Sequence, residues 1–246
     1  MPRSLGPAAV RRRCDVSYVP DGLERHRLDL YLPAEPAGAA VVVVFHGGGL
    51  RNMSKERMAG VCRRLAAAGF VAAAPNYRLL EEAPYPAQVD DALAAVTWVG
   101  NGPAQLAGAD ATRPALLGAS AGALLAQMVA ARLGRQQVRC MVSVSGPSHL
   151  EILSVQGRHC NAVELAGPDF PPALLTHSRG DRIVPVDEAR QLHRRLRELG
   201  VPAELLLYDG AGENHAIWKP TTQPPVLLDF LEARIHGFLT RHARGQ

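Results

Sequence analysis

The sequence predicts an α/β fold, in which a mostly parallel sheet is flanked by helices on both faces. Short, nearly continuous apolar runs are typical of strands that are buried on both sides of a parallel sheet. Helix-like segments alternate with these runs along the chain. The 246 residues contain no internal repeat and no low-complexity linker, so we expect a single domain over residues 1–246.

The elements follow in order from the chain. Residues 14–32 predict an opening hairpin, because Pro20-Asp21-Gly22 is a typical turn sequence. The apolar runs that predict strands are Val41–Phe45, Phe70–Ala74, Ala115–Leu117, Cys140–Val144, Ala173–His177 and Glu204–Tyr208. The segments that predict helices are Lys55–Ala68, Pro86–Val99, Ala121–Leu133, Asp187–Leu199 and Pro225–Thr240.

Residues 146–172 break this alternation. The segment mixes polar and apolar residues and contains several prolines. Long connections in compact domains tend to be functional. We therefore expect a short partial cap, with a plain long connection as the alternative.

Composition argues against several classes of protein. The formal charge is +4 and aromatic residues make up 5% of the chain, too few for a base-stacking surface, so we expect no nucleic-acid partner. The four cysteines lie far apart, which suggests neither a zinc site nor a disulfide framework. No uninterrupted apolar stretch is long enough for a signal peptide or a membrane span. These features predict a cytoplasmic protein with no metal and no organic cofactor.

A serine stands in the sequence Gly118-Ala119-Ser120-Ala121-Gly122, between an apolar run and a run of good helix formers. One interpretation is that Ser120 caps the helix. The other is that a tight strand-to-helix turn holds its hydroxyl up as a nucleophile, with glycines where side chains would collide. The flanking strand and helix patterns favour the nucleophile.

A serine nucleophile needs a base and an acid. His215 lies in a glycine-rich loop after the last predicted strand, on the same sheet edge as Ser120. Asp181 follows the strand Ala173–His177 by a short turn, whereas Asp187 suits the start of a helix. The other histidines have plainer interpretations: His177 as a packed strand residue, and His26 as a residue in a polar surface context.

The glycine run His46-Gly47-Gly48-Gly49 directly follows the strand Val41–Phe45. Backbone N–H groups there, together with that of Ala121, are suited to bind an oxyanion. A phosphate loop is the rival interpretation, but no phosphate-loop motif is present. We interpret His46 as a structural residue that holds the loop.

Together these parts resemble the α/β-hydrolase superfamily, and more narrowly the hormone-sensitive-lipase-like, feruloyl-esterase-like and kynurenine-formamidase-like small serine esterases. The motifs that carry the resemblance are HGGG at 46–49, NYRLLEEAPYPAQVDDALAAVTWV at 76–99, GASAG at 118–122, PPALLTHSRGDRIVP at 171–185 and ENHAIW at 213–218. The resemblance implies a triad of Ser120, Asp181 and His215, with oxyanion donors at Gly48, Gly49 and Ala121. The formamidase-like pattern has a tryptophan soon after the glycines, whereas this chain has Leu50-Arg51-Asn52.

The leading hypothesis is a serine hydrolase that cleaves carboxylic esters through an acyl-enzyme. The expected partner is a small, apolar acyl substrate. One alternative keeps the triad but cleaves an amide, formamide or thioester, or releases or cyclises a carrier-bound chain. An alternative of another class is a non-catalytic binding module on the same fold.

Overall fold

One eight-stranded sheet organises the computed structural model, which describes residues 10–150, 160–209 and 225–243. The strands are β1 (Arg11–Ser17), β2 (Arg27–Leu32), β3 (Ala40–Phe45), β4 (Val71–Pro75), β5 (Asp110–Ala119), β6 (Met141–Val144), β7 (Ala173–Ser178) and β8 (Ala203–Tyr208). Their order across the sheet is β1-β2-β4-β3-β5-β6-β7-β8. The pairs β1–β2 and β2–β4 are antiparallel, and every pair from β4 to β8 is parallel.

Helices cover both faces of this sheet. They are α1 (Ala59–Ala67), α2 (Ala87–Gly100), α3 (Ala121–Gln137), α4 (Ala162–Leu165), α5 (Val186–Glu198) and α6 (Pro225–Ala243). One apolar core contains α2, α3 and α5, and the other contains α1 and α6. Side chains of β3 alternate between them: Val41, Val43 and Phe45 belong to the first core, and Val42 and Val44 to the second. The predicted α/β class with helices on both faces is therefore confirmed.

The largest differences from the expected element boundaries are in three elements. β5 begins at Asp110 rather than Ala115, because exposed polar residues at its start hide the strand from an apolar-run criterion. The expected helix Lys55–Ala68 is a 3-10 turn, Lys55–Met58, followed by α1. α3 extends beyond Leu133, with a kink at Gly134, where φ is 62°.

The expected cap at 146–172 is only partly described. Leu150 donates its backbone N–H to Cys160 O at 2.9 Å, and residues 151–159 between them lie outside the described residues. Asn161 caps α4 by accepting hydrogen bonds from the N–H groups of Val163 and Glu164. Phe170, in the same segment, is buried in the core that contains α2, α3 and α5. The cap, like the single domain, stays a prediction.

Candidate active site

Ser120 sits at a strained corner between β5 and α3. Its backbone angles are φ 54° and ψ −125°, a conformation that residues other than glycine rarely adopt. Such strain persists only where the surroundings enforce it, and here Ser120 N donates to Val144 O at 2.9 Å. The side chain makes no capping hydrogen bond to α3. The helix-cap interpretation of Ser120 is therefore wrong.

Two glycines allow this corner to pack against its neighbours. A Cβ on Gly118 would lie 2.1 Å from Gly122 O, so the strand end and the first turn of α3 could not approach as they do. A Cβ on Gly122 would lie 2.3 Å from His46 O and 2.4 Å from Phe45 O. Gly122 thus brings the start of α3 directly against the end of β3, where the glycine loop begins.

The loop at 46–49 lies beside Ser120. A Cβ on Gly47 would stand 3.3 Å from the Cβ of Ser120 and 3.1 Å from Ala119 O. Gly48 and Gly49 both have positive φ angles, 107° and 63°, which glycine adopts without a steric penalty. Gly48 O accepts the N–H groups of Arg51 and Asn52 at 3.0 and 3.1 Å, which closes a tight turn. The turn gives the loop a defined backbone next to the serine.

His46 holds this loop in place through buried contacts. Its ring is buried, stacks on Tyr77 at 4.2 Å, and places Nδ1 2.7 Å from Gly47 O. Tyr77 donates its hydroxyl to His46 O at 2.8 Å. Burial lowers the pKa of His46 to about 4, so the imidazole is neutral at pH 7. The structural interpretation of His46 agrees with these contacts.

A buried ion cluster anchors the chain just after the loop. Lys55 is 3% exposed, and its Nζ lies 2.9 Å from Asp29 Oδ1 and 2.7 Å from Glu56 Oε1. Asp29, on β2, also accepts hydrogen bonds from Arg12. Burial opposes ionisation of Asp29, but the hydrogen bonds from Arg12 and Lys55 outweigh it and lower the pKa of that carboxyl. Lys55 N donates to Asn76 Oδ1 at 2.7 Å, which ties the cluster to the end of β4.

Ser120 opens into a cavity of about 400 Å³. Its glycine wall contains Gly48 and Gly49, two of the three predicted oxyanion donors. Ala121, the third, is the first residue of α3, where the N–H groups have no partner inside the helix. The remaining lining is Gly47, Arg51, Asn52, Met53, Arg57, Met58, Ala119 and Ile183. Among these, Arg51 and Arg57 were not anticipated as site residues, although Arg51 follows the glycines almost directly.

Asp181 lies in the turn after β7, two residues before Ile183 of the cavity wall. Its Oδ1 accepts the N–H groups of Ile183 and Val184 at 2.9 and 3.0 Å. Its Oδ2 is buried and accepts no hydrogen bond from the described residues. The side chain of Asp181 is thus held in one orientation, with one oxygen available to a further donor.

His177 is the described histidine nearest to that oxygen, at 3.8 Å, which is too long for a hydrogen bond. Its Nε2 lies 2.9 Å from Val184 O instead, and burial lowers its pKa. His177 is fully buried, as expected of a packed residue. The predicted base, His215, lies outside the described residues.

His26 departs from the sequence interpretation. It is 5% exposed and lies between two carboxylates, with Nδ1 2.5 Å from Asp21 Oδ2 and Nε2 3.0 Å from Asp91 Oδ1. Asp91 in turn forms a two-pronged ion pair with Arg78, with Nη2–Oδ1 at 2.5 Å and Nε–Oδ2 at 2.9 Å. The surface context expected for His26 is therefore wrong, because Asp91, which is distant in sequence, lies against the other side of its ring.

Two further features concern metals and membranes. Across residues 10–150, 160–209 and 225–243, no three His, Cys, Asp or Glu side chains group as metal ligands would. None of the helices in those ranges has the length and apolar character that crossing a membrane requires. The cytoplasmic location stays a prediction.

Comparison with known families gives two adjoining matches. The family model described as BD-FAE matches residues 28–156, just over half of the chain, and includes the glycine loop and Ser120. The model of the prolyl oligopeptidase family matches residues 156–243, which include Asp181 and His215.

Individual relatives are esterases by name. Esterase LipI of Mycobacterium tuberculosis is 37% identical over 145 residues, covering 52% of this chain and 45% of that protein. Isoprenylcysteine alpha-carbonyl methylesterase ICME of Arabidopsis thaliana is 28% identical, covering 76% of this chain and 53% of that protein. The chain thus spans about half the length of these two curated relatives.

Solved structures share the fold. Esterase B from Lactobacillus rhamnosis superposes with a TM-score of 0.79 at 20% identity, covering 94% of this chain and 88% of that one. Est2 of Thermogutta terrifontis gives 0.74 at 20% identity, covering 97% and 94%. At these identities the superpositions show the α/β-hydrolase fold alone, and the family match is more specific. The chain therefore belongs to the BD-FAE family and has the α/β-hydrolase fold.

Proposed function

We propose that this protein is a serine hydrolase that cleaves carboxylic esters, with Ser120 as nucleophile, His215 as general base and Asp181 as the acid that orients it. The observation that carries the proposal is the strained backbone of Ser120, which makes no capping hydrogen bond and lines a cavity together with Gly48 and Gly49. A strained serine that served only packing would have no reason to face a cavity.

The hydrogen bonding of Asp181 supports its role. A buried carboxylate oxygen without a donor is costly, and such an oxygen calls for an explanation. An imidazole N–H of His215 would satisfy Oδ2, while the two backbone N–H groups on Oδ1 keep the carboxylate in orientation. That arrangement would fix the tautomer of the histidine and stabilise its protonated form.

The chemistry then proceeds in two steps. His215 removes the hydroxyl proton as Ser120 Oγ attacks the ester carbonyl, and the resulting oxyanion accepts N–H groups from Gly48, Gly49 and Ala121. Collapse breaks the ester C–O bond, and His215 gives its proton to the departing alcohol. Water attacks the acyl-enzyme with the same histidine as base, which releases the acid and restores Ser120.

The choice of an ester rests on the relatives. Esterase LipI and carboxylesterase NlhH of Mycobacterium tuberculosis, the latter 41% identical over 91 residues, are named for ester cleavage. The machinery proposed above acts on any acyl carbonyl, and the names of these relatives favour an ester among the possible bonds. We expect an apolar acyl part, in keeping with Met53, Met58 and Ile183 in the cavity wall.

The test is covalent labelling combined with kinetics. Wild type should react with a fluorophosphonate probe and gain its mass on the peptide that contains Ser120, and it should hydrolyse 4-nitrophenyl butyrate. Ser120→Ala should lose both properties while keeping the circular dichroism spectrum and melting temperature of wild type. Ser17→Ala, an exposed serine on β1, is the matched control and should keep both. Undiminished hydrolysis by Ser120→Ala would overturn the proposal.

His215→Ala tests the base separately. General-base catalysis contributes about 100- to 10,000-fold, so kcat should fall by that order while the fold is unchanged. A His215→Ala variant with wild-type kcat would remove residue 215 from the mechanism and leave Ser120 in place.

A further inference from the structure

Two arginines line the cavity into which Ser120 opens. Arg51 and Arg57 both form part of its wall, and both are exposed residues. The wall contains no carboxylate among the described residues, and neither guanidinium forms an ion pair within that part of the chain. Two like charges therefore share one small space beside the proposed nucleophile.

The neighbouring surface depression shows the contrast. It is lined by Arg25, Arg78, Glu56 and Glu82, among others, and does not include Ser120. There the charges are neutralised: Arg25 Nε lies 2.9 Å from Glu82 Oε1, and Glu56 is paired with Lys55. Burial opposes ionisation of Glu56, but its hydrogen bonds from Lys55 and Ser54 lower its pKa to about 2, so it is ionised at pH 7. Glu56 is therefore already engaged, although it is next to Arg57 in sequence.

Hydrogen bonds and buried contacts fix the conformation of the backbone around Arg51. Leu50 and Met53, on either side of it, both have positive φ angles, 60° and 73°, which are uncommon for residues other than glycine. Leu50 is fully buried, and its carbonyl accepts Leu80 N at 2.8 Å. Arg25 Nη1 donates to Met53 O at 3.2 Å. Strained backbone that neighbouring residues hold in place is typical of a functional segment.

We propose that the substrate of this cavity is an ester that carries a carboxylate, which Arg51 and Arg57 bind while Met53, Met58 and Ile183 contact its apolar part. This inference rests on the proposed esterase function and narrows its substrate class. Arginine presents a planar set of donors that matches the two oxygens of a carboxylate. With a neutral ester of the same shape, both guanidinium groups stay hydrated and contribute no ion pair to substrate binding.

The test compares matched anionic and neutral esters. One pair places the charge on the acyl part: 4-nitrophenyl hydrogen adipate against 4-nitrophenyl 6-oxoheptanoate, in which a methyl ketone replaces the carboxylate. The other places it on the alcohol part: the butyrate ester of 3-hydroxybenzoate against 3-acetylphenyl butyrate. The readout is the ratio of kcat/KM for the anionic ester to that for its neutral partner, with spontaneous hydrolysis subtracted. Dividing each variant's ratio by that of wild type cancels intrinsic differences in ester reactivity.

The variants are Arg51→Gln, Arg57→Gln and the charge-preserving Arg51→Lys. For at least one ester pair, each glutamine variant should lower the ratio by about 3- to 10-fold, since a partly exposed charged hydrogen bond contributes modestly. Arg51→Lys should lose less than Arg51→Gln, because the charge remains. Arg63→Gln removes one exposed arginine from α1, outside the cavity wall, and should leave both ratios at the wild-type value.

The outcomes separate this inference from the proposed function. Ser120-dependent hydrolysis with ratios that neither glutamine variant changes would overturn the carboxylate and leave the esterase standing. An equal fall in the ratio for Arg63→Gln would also overturn it, because the effect would then be one of net charge. No Ser120-dependent hydrolysis of any of the four esters would overturn both proposals together.

Discussion

Gly122→Ala should disturb the contact on which the geometry around Ser120 depends. The added Cβ would lie 2.3 Å from His46 O and 2.4 Å from Phe45 O, about 1 Å closer than a comfortable contact. Both oxygens belong to the backbone of β3 and the loop that follows, so no side chain can rotate away. Overpacking of this kind costs about 1–3 kcal/mol, and the upper end applies because the obstacle is buried backbone.

Helix propensity works in the opposite direction. Replacing glycine by alanine in a helix gains about 1 kcal/mol, so the net loss at Gly122 should be about 2 kcal/mol. For a chain of this size the melting temperature should then fall by about 4–8 °C, as measured by circular dichroism. The shift between α3 and the glycine loop should also lower kcat/KM for 4-nitrophenyl butyrate, on the order of 100-fold for a displacement of about 1 Å.

Gly60→Ala provides the matched control. Gly60 lies in α1, and a Cβ there would meet only the end of the flexible Arg64 side chain, at 3.5 Å. The same chemical change should therefore raise stability by about 0.5–1 kcal/mol and leave kcat/KM unchanged. A Gly122→Ala variant that melts and turns over like wild type would refute the close-packing argument.

Two further substitutions test the support behind the glycine loop. Tyr77→Phe keeps the ring stack on His46 but removes the hydroxyl that His46 O accepts, so urea titration should show a loss of about 1 kcal/mol. Asp29→Asn should cost about 2 kcal/mol at pH 7, because it leaves the buried Lys55 with one fewer carboxylate, and the deficit should shrink from pH 5 to pH 2. The sign follows from the folded-state pKa of Asp29, which is lowered, so its contribution is present above its unfolded pKa of about 4 and is lost as the pH falls. A deficit that is constant with pH would contradict the ionic origin of this effect.

The sequence predicted the fold class because strand and helix signals are local. One such signal is the apolar run Val41–Phe45, whose side chains alternate between the two cores. Another is the pair of glycines around Ser120, which a tight strand-to-helix turn requires. Both signals depend only on residues close together along the chain. For Ser120 the same local signals favoured the nucleophile but did not exclude a helix cap. The backbone angles and the missing cap bond decided against the cap, and neither can be read from residue types.

What the sequence did not predict depends on contacts between residues that are far apart along the chain. Asp29 on β2 and Lys55 before α1 are far apart along the chain, and nothing local indicates that they meet at 2.9 Å. His26 looked like a surface residue until Asp91 from α2 was placed against it. Arg51 stood beside a recognisable motif, but its interpretation as a cavity residue required the shape of the wall.

The backbone turn from Gly48 to Arg51 links the proposed oxyanion donors to the proposed carboxylate-binding residue. Gly48 O accepts the backbone N–H of Arg51, and in a trans peptide the N–H of Gly49 points opposite to that carbonyl. The bond that draws the carbonyl into the turn therefore directs the proposed oxyanion donor outward, on a segment that lines the cavity. The same bond fixes where the Arg51 side chain leaves the backbone. A single turn of backbone would thus fix the position of a carboxylate bound by Arg51 relative to the oxyanion donors. This position sets the distance between the charge and the ester carbonyl in a preferred substrate.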